Sequence, residues 1–233
     1  MNIILIGAKG RMGSEIIKVG RAHSFYEVDK DNSDEFFKNN QKEGDVIIDF
    51  STPILTEKLL KYATVTKTPL LIATTAQTVE QINKIKLAAE SVPIFFSHNV
   101  SIGIALLEKS IKQILTVYKD SEVEIIETHH SKKVDYPSGT ALMLAETARS
   151  VTNGEILISG ARQKQSDIVI HSLRLADVVG KHKVIINTKY QSFTIEHSAE
   201  SRELFAISAI QIAQILVNFN VGLYQIGDVL EKL

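Results

Sequence analysis

The chain has 233 residues, 44% of them hydrophobic, with 26 basic and 27 acidic side chains and a formal net charge of −1. That length is ample for a sizeable core, and the balanced charge gives no bulk attraction to nucleic acid or to an anionic membrane, leaving only a local basic pocket for a small anion open. There is no cysteine, which excludes disulfide scaffolds, thiolate zinc sites, iron–sulfur clusters and cysteine nucleophiles and is consistent with an intracellular setting.

The first residues, Met1-Asn2-Ile3-Ile4-Leu5-Ile6-Gly7, have no basic n-region and too short an apolar run for a signal peptide, so a buried strand is expected. With no apolar run of about 18 residues, a cytoplasmic protein without a membrane span is expected. Asn2–Ile6 predicts a strand and Gly13–Gly20 a helix. Asp45–Phe50, Pro69–Ala73 and Pro93–Phe96 predict further strands, with helices over Thr56–Tyr62 and Val79–Ser91 between them. Continuous apolar strands alternating with helices imply a parallel sheet covered on both faces. The pattern changes after residue 100. Ile102–Val117 predicts a long helix, Glu122–His129 an alternating strand, and Ser138 opens another helix to about Val151. Strands follow over Ile168–Leu173, His182–Asn187 and Ser192–His197, and a last helix over Leu204–Val217. The fold class is therefore α/β: an N-terminal doubly wound, Rossmann-like parallel sheet domain plus a C-terminal α+β domain with an open mixed sheet. Residues 1–100 completed by 204–233 are expected to form a dinucleotide-binding domain, and 101–203 a substrate-binding and oligomerisation domain.

Gly7-Ala8-Lys9-Gly10-Arg11-Met12-Gly13 lies between the first strand and the first helix, with glycines at positions 1, 4 and 7 rather than the usual 1, 3 and 6. A turn without side chains lets the backbone approach a pyrophosphate, and the helix start supplies oriented N–H groups. Asp29 sits where such a unit places an acid for the ribose hydroxyls, and Lys30 beside it suits a 2′-phosphate, so NADH and NADPH both stay open. A glycine turn that merely packs a helix on a sheet would look similar.

The segment Glu127-Thr128-His129-His130-Ser131-Lys132-Lys133-Val134-Asp135-Tyr136-Pro137-Ser138-Gly139-Thr140-Ala141 carries the strongest signal. Two histidines and two lysines put several proton-bearing groups in one loop, and Ser138-Gly139-Thr140 makes a carboxylate cradle at a helix start. Adjacent histidines do not readily share one ion and no partner stands at metal spacing, so no metal is expected. On spacing alone, a solvated basic loop before a capped helix remains an alternative.

This segment closely resembles the E-x-H-H-x-x-K-x-D-x-P-S-G-T-A signature of the dihydrodipicolinate reductase family. The resemblance extends over most of the chain. Gly7–Gly13 resembles the family's G-x-x-G-x-M-G, and Asp49-Phe50-Ser51-Thr52-Pro53 its D-F-S-x-P. Ser97 to Gly103 is similar to its x-x-N-x-S-x-G hinge, Val179-Gly180-Lys181-His182 to its V-G-E-H, and His197 to Arg202 to its H-x-A-x-S-R. The tail around Gly222-Leu223-Tyr224 and Asp228-Val229-Leu230 also matches. Ala73-Thr74-Thr75-Ala76 departs from the usual G-T-T-G, Arg174-Leu175-Ala176 stands where the family often reaches a glycine, and Ser208 replaces another glycine. Alanine resists positive φ, so a differently seated or weaker-bound cofactor is expected.

The resemblance implies an NADH- or NADPH-dependent reductase acting on a small cyclic dicarboxylate, assembled as a homotetramer, with domains that close about hinges near Ser101 and Arg202–Leu204. It implies an acid/base role for His129, a proton-donor role for Lys133 and a substrate contact for His130. Ser138, Gly139 and Thr140 would bind a carboxylate. Gly7, Ala8, Lys9, Gly10, Arg11 and Met12 would hold the pyrophosphate, Asp29 the adenosine ribose with Lys30 placed for a 2′-phosphate, and Ala73, Thr74, Thr75, Ser97, His98, Asn99 and Val100 would line the nicotinamide side. Lys132, Arg174 and Arg202 are further cationic candidates, a solvated surface place being as good a reading for each. The tetramer sheet face is expected to account for the apolar alternation at Val184–Ile186 and Phe193–Ile195, a face toward the domain's own helices being the other reading. A non-catalytic dinucleotide-binding relative or redox sensor is the competing class, favoured only by the altered alanine segment.

Overall fold

The computed structural model describes residues 1–39 and 41–233 and divides into two compact units, 1–102 with 202–233, and 103–201. In the first unit the order is β1 (Asn2–Ile6), α1 (Arg11–Val19), β2 (Ser24–Val28), α2 (Ser33–Phe36), β3 (Val46–Asp49), α3 (Thr56–Thr66), β4 (Leu70–Ile72), α4 (Val79–Ala88) and β5 (Pro93–Phe96). The chain returns to this unit at its end. The second unit contains α5 (Ile102–Val117), β6 (Glu122–His129), α6 (Gly139–Thr152), β7 (Ile156–Ile158), β8 (Ile168–Arg174), β9 (Gly180–Asn187) and β10 (Ser192–Ala199), and the returning elements are α7 (Glu203–Leu216), β11 (Gly222–Tyr224) and α8 (Ile226–Leu230).

The first unit's sheet runs β11-β5-β4-β3-β1-β2, and every pairing is parallel. The inner strands β1, β3, β4 and β5 are nearly continuous apolar runs because both faces are covered. Ile3, Leu5, Val46, Ile48, Leu71 and Phe95 pack with Ile16 of α1 and with Ala206, Ala209, Ile212 and Ala213 of α7. Ile4, Ile6, Ile47, Leu70, Ile72 and Ile94 turn the other way, onto Phe36, Leu59, Tyr62, Ala63 and Ile85. Helix α4 starts in a reciprocal capping box, Thr78 with Gln81.

The second unit's sheet runs β10-β9-β6-β8-β7 and is mixed: β6 pairs parallel with β8 and antiparallel with β9, which pairs antiparallel with β10. One face packs on α5 and α6 through Val123, Ile125, Ile168, Ile170, Val184 and Ile186, met by Ile104, Leu107, Ile111, Leu115, Leu144, Ala145 and Ala148. This corrects the tetramer-face account of the apolar alternation. Val184 and Ile186 are fully buried in their own unit's core, and Phe193 and Ile195 pack against the same cluster.

Candidate active site

In the first unit β1 lies between β2 and β3, so the winding reverses at the β1/β3 boundary, where doubly wound sheets place ligands beyond the strands' carboxyl ends. The glycine turn occupies this boundary. Gly7 adopts φ 82°, and a Cβ there would lie 2.6 Å from the Phe50 carbonyl oxygen. A Cβ on Gly13 would lie 2.2 Å from the Gly7 carbonyl oxygen. Helix α1 begins at Arg11, two residues before the expected start, which puts Arg11 and Met12 in its first turn behind Gly10, a cap that places no side chain over the helix start. First-turn N–H groups have no intrahelical partner and carry partial positive charge. Asp29, just after β2, accepts the Lys9 backbone N–H at 3.1 and 3.2 Å, which ties its carboxylate to the turn. The Lys9 ammonium pairs instead with Asp31 at 3.0 Å, and Lys30 is exposed. Glycines whose Cβ would strike backbone, a helix start without a side-chain cap and a tethered carboxylate fit the diphosphate and ribose of a dinucleotide.

The next loops follow β3 and β4. Asp49 is fully buried, and burial raises its pKa to about 6, against hydrogen bonds that lower it. Its Oδ1 accepts the Ser51 N–H at 3.1 Å and the Ser51 hydroxyl at 2.5 Å, and the Ser51 N–H also reaches the Thr74 hydroxyl oxygen at 2.8 Å. Ala73 and Thr74 are buried and Thr75 is exposed. Ala76 adopts φ 68° and Ala176 φ 45°, so two alanines carry the left-handed backbone that favours glycine. Ala76→Gly and Ala176→Gly are each expected to stabilise the chain by about 0.5–1 kcal/mol, because a Cβ is penalised in that region. Denaturant titration checks this, and a loss of stability in both variants would contradict it. After β5, Ser97 donates to the Asn99 carbonyl at 2.7 Å, Asn99 accepts the Ser101 N–H at 2.9 Å, and Val100 enters the core. His98 is exposed and stands edge-on to Phe96.

In the second unit the pieces of the strong segment come together at the carboxyl end of β6. Glu127 is fully buried. Its carboxylate lies 2.5 Å from His129 Nδ1, accepts Arg174 Nη1 at 2.9 and 3.0 Å, and accepts the Ser138 N–H at 3.3 Å. Burial pushes the Glu127 pKa up, but Ser172, His129 and Arg174 outweigh it and hold the carboxyl below its ordinary value. Burial lowers the His129 pKa despite the Glu127 charge, and the Lys133 and Arg174 charges add to the lowering. The His182 ring packs edge-on against His129 at 5.2 Å, and its Nε2 lies 3.2 Å from the Ser138 hydroxyl. Burial, then the charge of His129, lowers the His182 pKa to about 4, so this ring is neutral near pH 7. A Cβ on Gly180 would come within 3.2 Å of His129 Nε2, so glycine there keeps that nitrogen uncrowded.

The loop after β6 is tied down at several points. Arg174 donates to the Asp135 carbonyl at 2.7 Å, Ser131 N–H to the Ala176 carbonyl at 3.0 Å, and Lys133 Nζ pairs with Asp135 at 2.7 Å. The Tyr136-Pro137 peptide is cis. Ser138 caps α6 by accepting the Ala141 N–H at 3.2 Å, and Gly139 leaves the helix start open, with nothing within 4 Å of the position of a Cβ. His130 is half-buried and Lys132 exposed. His129, Ser138 and Gly139 are thus gathered at the start of α6, with Lys133 on the loop that leads to it. Arg174 is committed to Glu127 and the loop. The cluster also contains Glu127, Gly180 and His182, which sequence reading quoted in motifs without assigning them a place in the site. Among the described residues no group of three or more histidine or acidic side chains is arranged to hold a metal ion.

Comparison with known proteins identifies the family. The family model described as dihydrodipicolinate reductase, N-terminus, matches residues 1–100, and that described as dihydrodipicolinate reductase, C-terminus, matches residues 103–230. The chain is 39% identical to a 4-hydroxy-tetrahydrodipicolinate reductase of Sulfurovum sp. (strain NBC37-1), covering 97% of each, and 34% identical to one of Caldanaerobacter subterraneus subsp. tengcongensis, covering 100% of this chain and 99% of the relative. The fold superposes on dipicolinate-bound dihydrodipicolinate reductase from Paenisporosarcina sp. TG-14 with a TM-score of 0.78, at 21% identity over 97% of both chains. A probable dehydrogenase from Thermotoga maritima shares the fold more distantly, with a TM-score of 0.58 at 13% identity over 98% of this chain and 92% of that one. Matched along both of its halves and across nearly the full length of these relatives, the chain belongs to the dihydrodipicolinate reductase family.

Proposed function

We propose that the chain is a 4-hydroxy-tetrahydrodipicolinate reductase, which uses NADH or NADPH to reduce the cyclic dihydrodipicolinate-type substrate to tetrahydrodipicolinate on the way to diaminopimelate and lysine. One observation carries the reading: His129, tied to a buried carboxylate, shares a short loop with Lys133 and with the open start of α6 at Gly139. That combination offers proton-bearing groups beside a carboxylate cradle, as reduction of a cyclic dicarboxylate requires. The same family membership supports a cytoplasmic, homotetrameric enzyme.

Reduced nicotinamide, when bound, supplies the hydride. The chain's residues bind, orient and balance the proton. Gly7, Ala8, Lys9, Gly10, Arg11 and Met12 bind the diphosphate, largely by backbone N–H groups and the start of α1. Asp29 accepts from the ribose hydroxyls, with Lys30 beside it for a 2′-phosphate. Ala73, Thr74, Thr75, Ser97, His98, Asn99 and Val100 line the nicotinamide side. Gly139 N–H and the Thr140 hydroxyl hold a substrate carboxylate at the α6 start, supported by Ser138 and contacted by His130. Lys133 donates the proton that balances the hydride, and His129 acts as acid/base beside it.

The test follows absorbance loss of NADH, and separately NADPH, with substrate made freshly by a coupled synthase. Substrate-dependent oxidation is the expected result, and the ratio of the two rates reports what Asp29 and Lys30 select. No oxidation of either dinucleotide, by folded protein that binds them, would overturn the reading.

A further inference from the structure

We infer that Glu127 is the positioning residue of the site: clamped by Arg174, it fixes His129 as the tautomer with hydrogen on Nδ1 and presents Nε2 to the substrate. The inference rests on the proposed reductase reading for the substrate side only; the tautomer itself is a property of the chain.

The geometry is over-determined for a purely structural pair. Glu127 and His129 lie two residues apart on β6, so their side chains leave the same face of the strand. The carboxylate is buried from solvent, and a buried charge is retained only where partners satisfy it. Three donors come from different elements: His129 Nδ1 at 2.5 Å, Arg174 Nη1 from the end of β8 at 2.9 and 3.0 Å, and the Ser138 N–H at the start of α6 at 3.3 Å. Arg174 is at the same time bonded to the Asp135 carbonyl, so one guanidinium holds both the carboxylate and the loop that carries Lys133. Glu127 is held as an anion and His129 is held neutral, by the causes given above. A neutral ring against an anionic acceptor must place its hydrogen on the nitrogen facing that acceptor. Nε2 then keeps its lone pair, in the space that Gly180 leaves open. His182, neutral and bonded to Ser138, packs on the ring and adds no charge to compete with Glu127. A carboxylate that orients a catalytic imidazole in this way fixes tautomer and direction without itself taking part in bond making.

The experiment uses full-length protein with ¹⁵N-labelled histidine, the His129 signals being assigned by their loss in His129→Asn. In wild-type protein at pH 7.5, His129 is expected to show hydrogen on Nδ1 and a bare Nε2; the opposite tautomer would overturn the inference, whatever the variants do. In Glu127→Gln the tautomer signature is expected to be lost, with kcat reduced on the order of 10²-fold. The dissociation constant for NADH, measured by fluorescence, is expected to stay within about twofold. The charges left facing His129 are then Lys133 and Arg174, both of which lower its pKa, with His182 neutral on the ring face. Losing the one charge that raises it moves the His129 titration to lower pH, and the corresponding limb of the kcat profile with it. Glu127→Asp restores the charge at shorter reach and is expected to recover part of kcat. Equal loss of kcat in Glu127→Asp and Glu127→Gln with an unmoved His129 titration would overturn the inference by reducing Glu127 to a packing role. Absence of substrate-dependent oxidation in wild type would sink the reductase reading and leave the tautomer measurement standing.

Discussion

Replacing Lys133 with alanine is expected to lower kcat on the order of 10²- to 10⁴-fold, the usual range for removing a general acid, while dinucleotide binding is unchanged. Lys133 stands on the loop after β6, in the unit of residues 103–201, whereas the glycine turn belongs to the unit of residues 1–102 and 202–233. Its ammonium is paired with Asp135 at 2.7 Å, and that carboxylate is more than half exposed. An ion pair of this kind contributes about 1 kcal/mol or less, so the variant is expected to stay folded, and the loss is a loss of chemistry. Stopped-flow oxidation of NADH with freshly generated substrate reads kcat, and fluorescence titration reads dinucleotide affinity. His129→Ala is expected to fall comparably, since in the proposed mechanism the two groups serve one proton. If Lys133→Ala turns over at the wild-type rate, the proton comes from another group or from solvent, and the assignment of Lys133 fails.

Replacing Gly13 with alanine is expected to unfold the glycine turn and abolish dinucleotide binding. A Cβ at this position would lie 2.2 Å from the Gly7 oxygen, 2.4 Å from the Ala8 oxygen and 2.6 Å from Ala8 Cα. All three are backbone atoms, so no side chain can rotate away, and α1 must move off the turn that follows β1. Overpacking of this severity costs about 3 kcal/mol or more, which for a chain of this size is a fall in Tm of roughly 6–12 °C. Gly227→Ala is the control: it lies in α8 with nothing within 4 Å of a Cβ, and a helical Gly-to-Ala change gains about 0.5–1 kcal/mol. Thermal unfolding and NADH titration on both variants check the contrast. A Gly13→Ala protein as stable as wild type and still binding NADH would show that the close approach of helix and turn is not what the glycine secures.

Sites are built from close backbone approach and from groups placed to move a proton, and both tolerate little displacement. The glycine spacing pointed to the first from the residues alone, because glycine takes φ 82° at position 7 without penalty and lets a helix come this close to a turn. Ala76 and Ala176 were legible as departures from the family's glycines. The structure keeps the left-handed conformation at both. Neighbouring structure therefore outweighs a local penalty of about 1–2 kcal/mol per residue.

Periodicity and punctuation along the chain determined the alternation of strands and helices, the doubly wound first half, the mixed second half, and the loop where His129, Lys133 and Gly139 gather. These rest on short-range physics, namely apolar runs, glycine turns and a serine cap, that a sequence displays directly. The weakly apolar β2 and the three-residue strands β7 and β11 carry too little local signal, and pairing with neighbours defines them. Tertiary structure also decided which way Val184 and Ile186 point, since alternation alone shows that one face is buried without saying what covers it. Above all, it decided the partners of Glu127. Strand β6 pairs with β8 and β9, so that His129 stands opposite Arg174 and Glu127 opposite His182. Residues 47 and 55 positions apart meet because of strand order and register. No local pattern encodes that meeting, and it turns a glutamate inside a motif into the buried anion that orients the site.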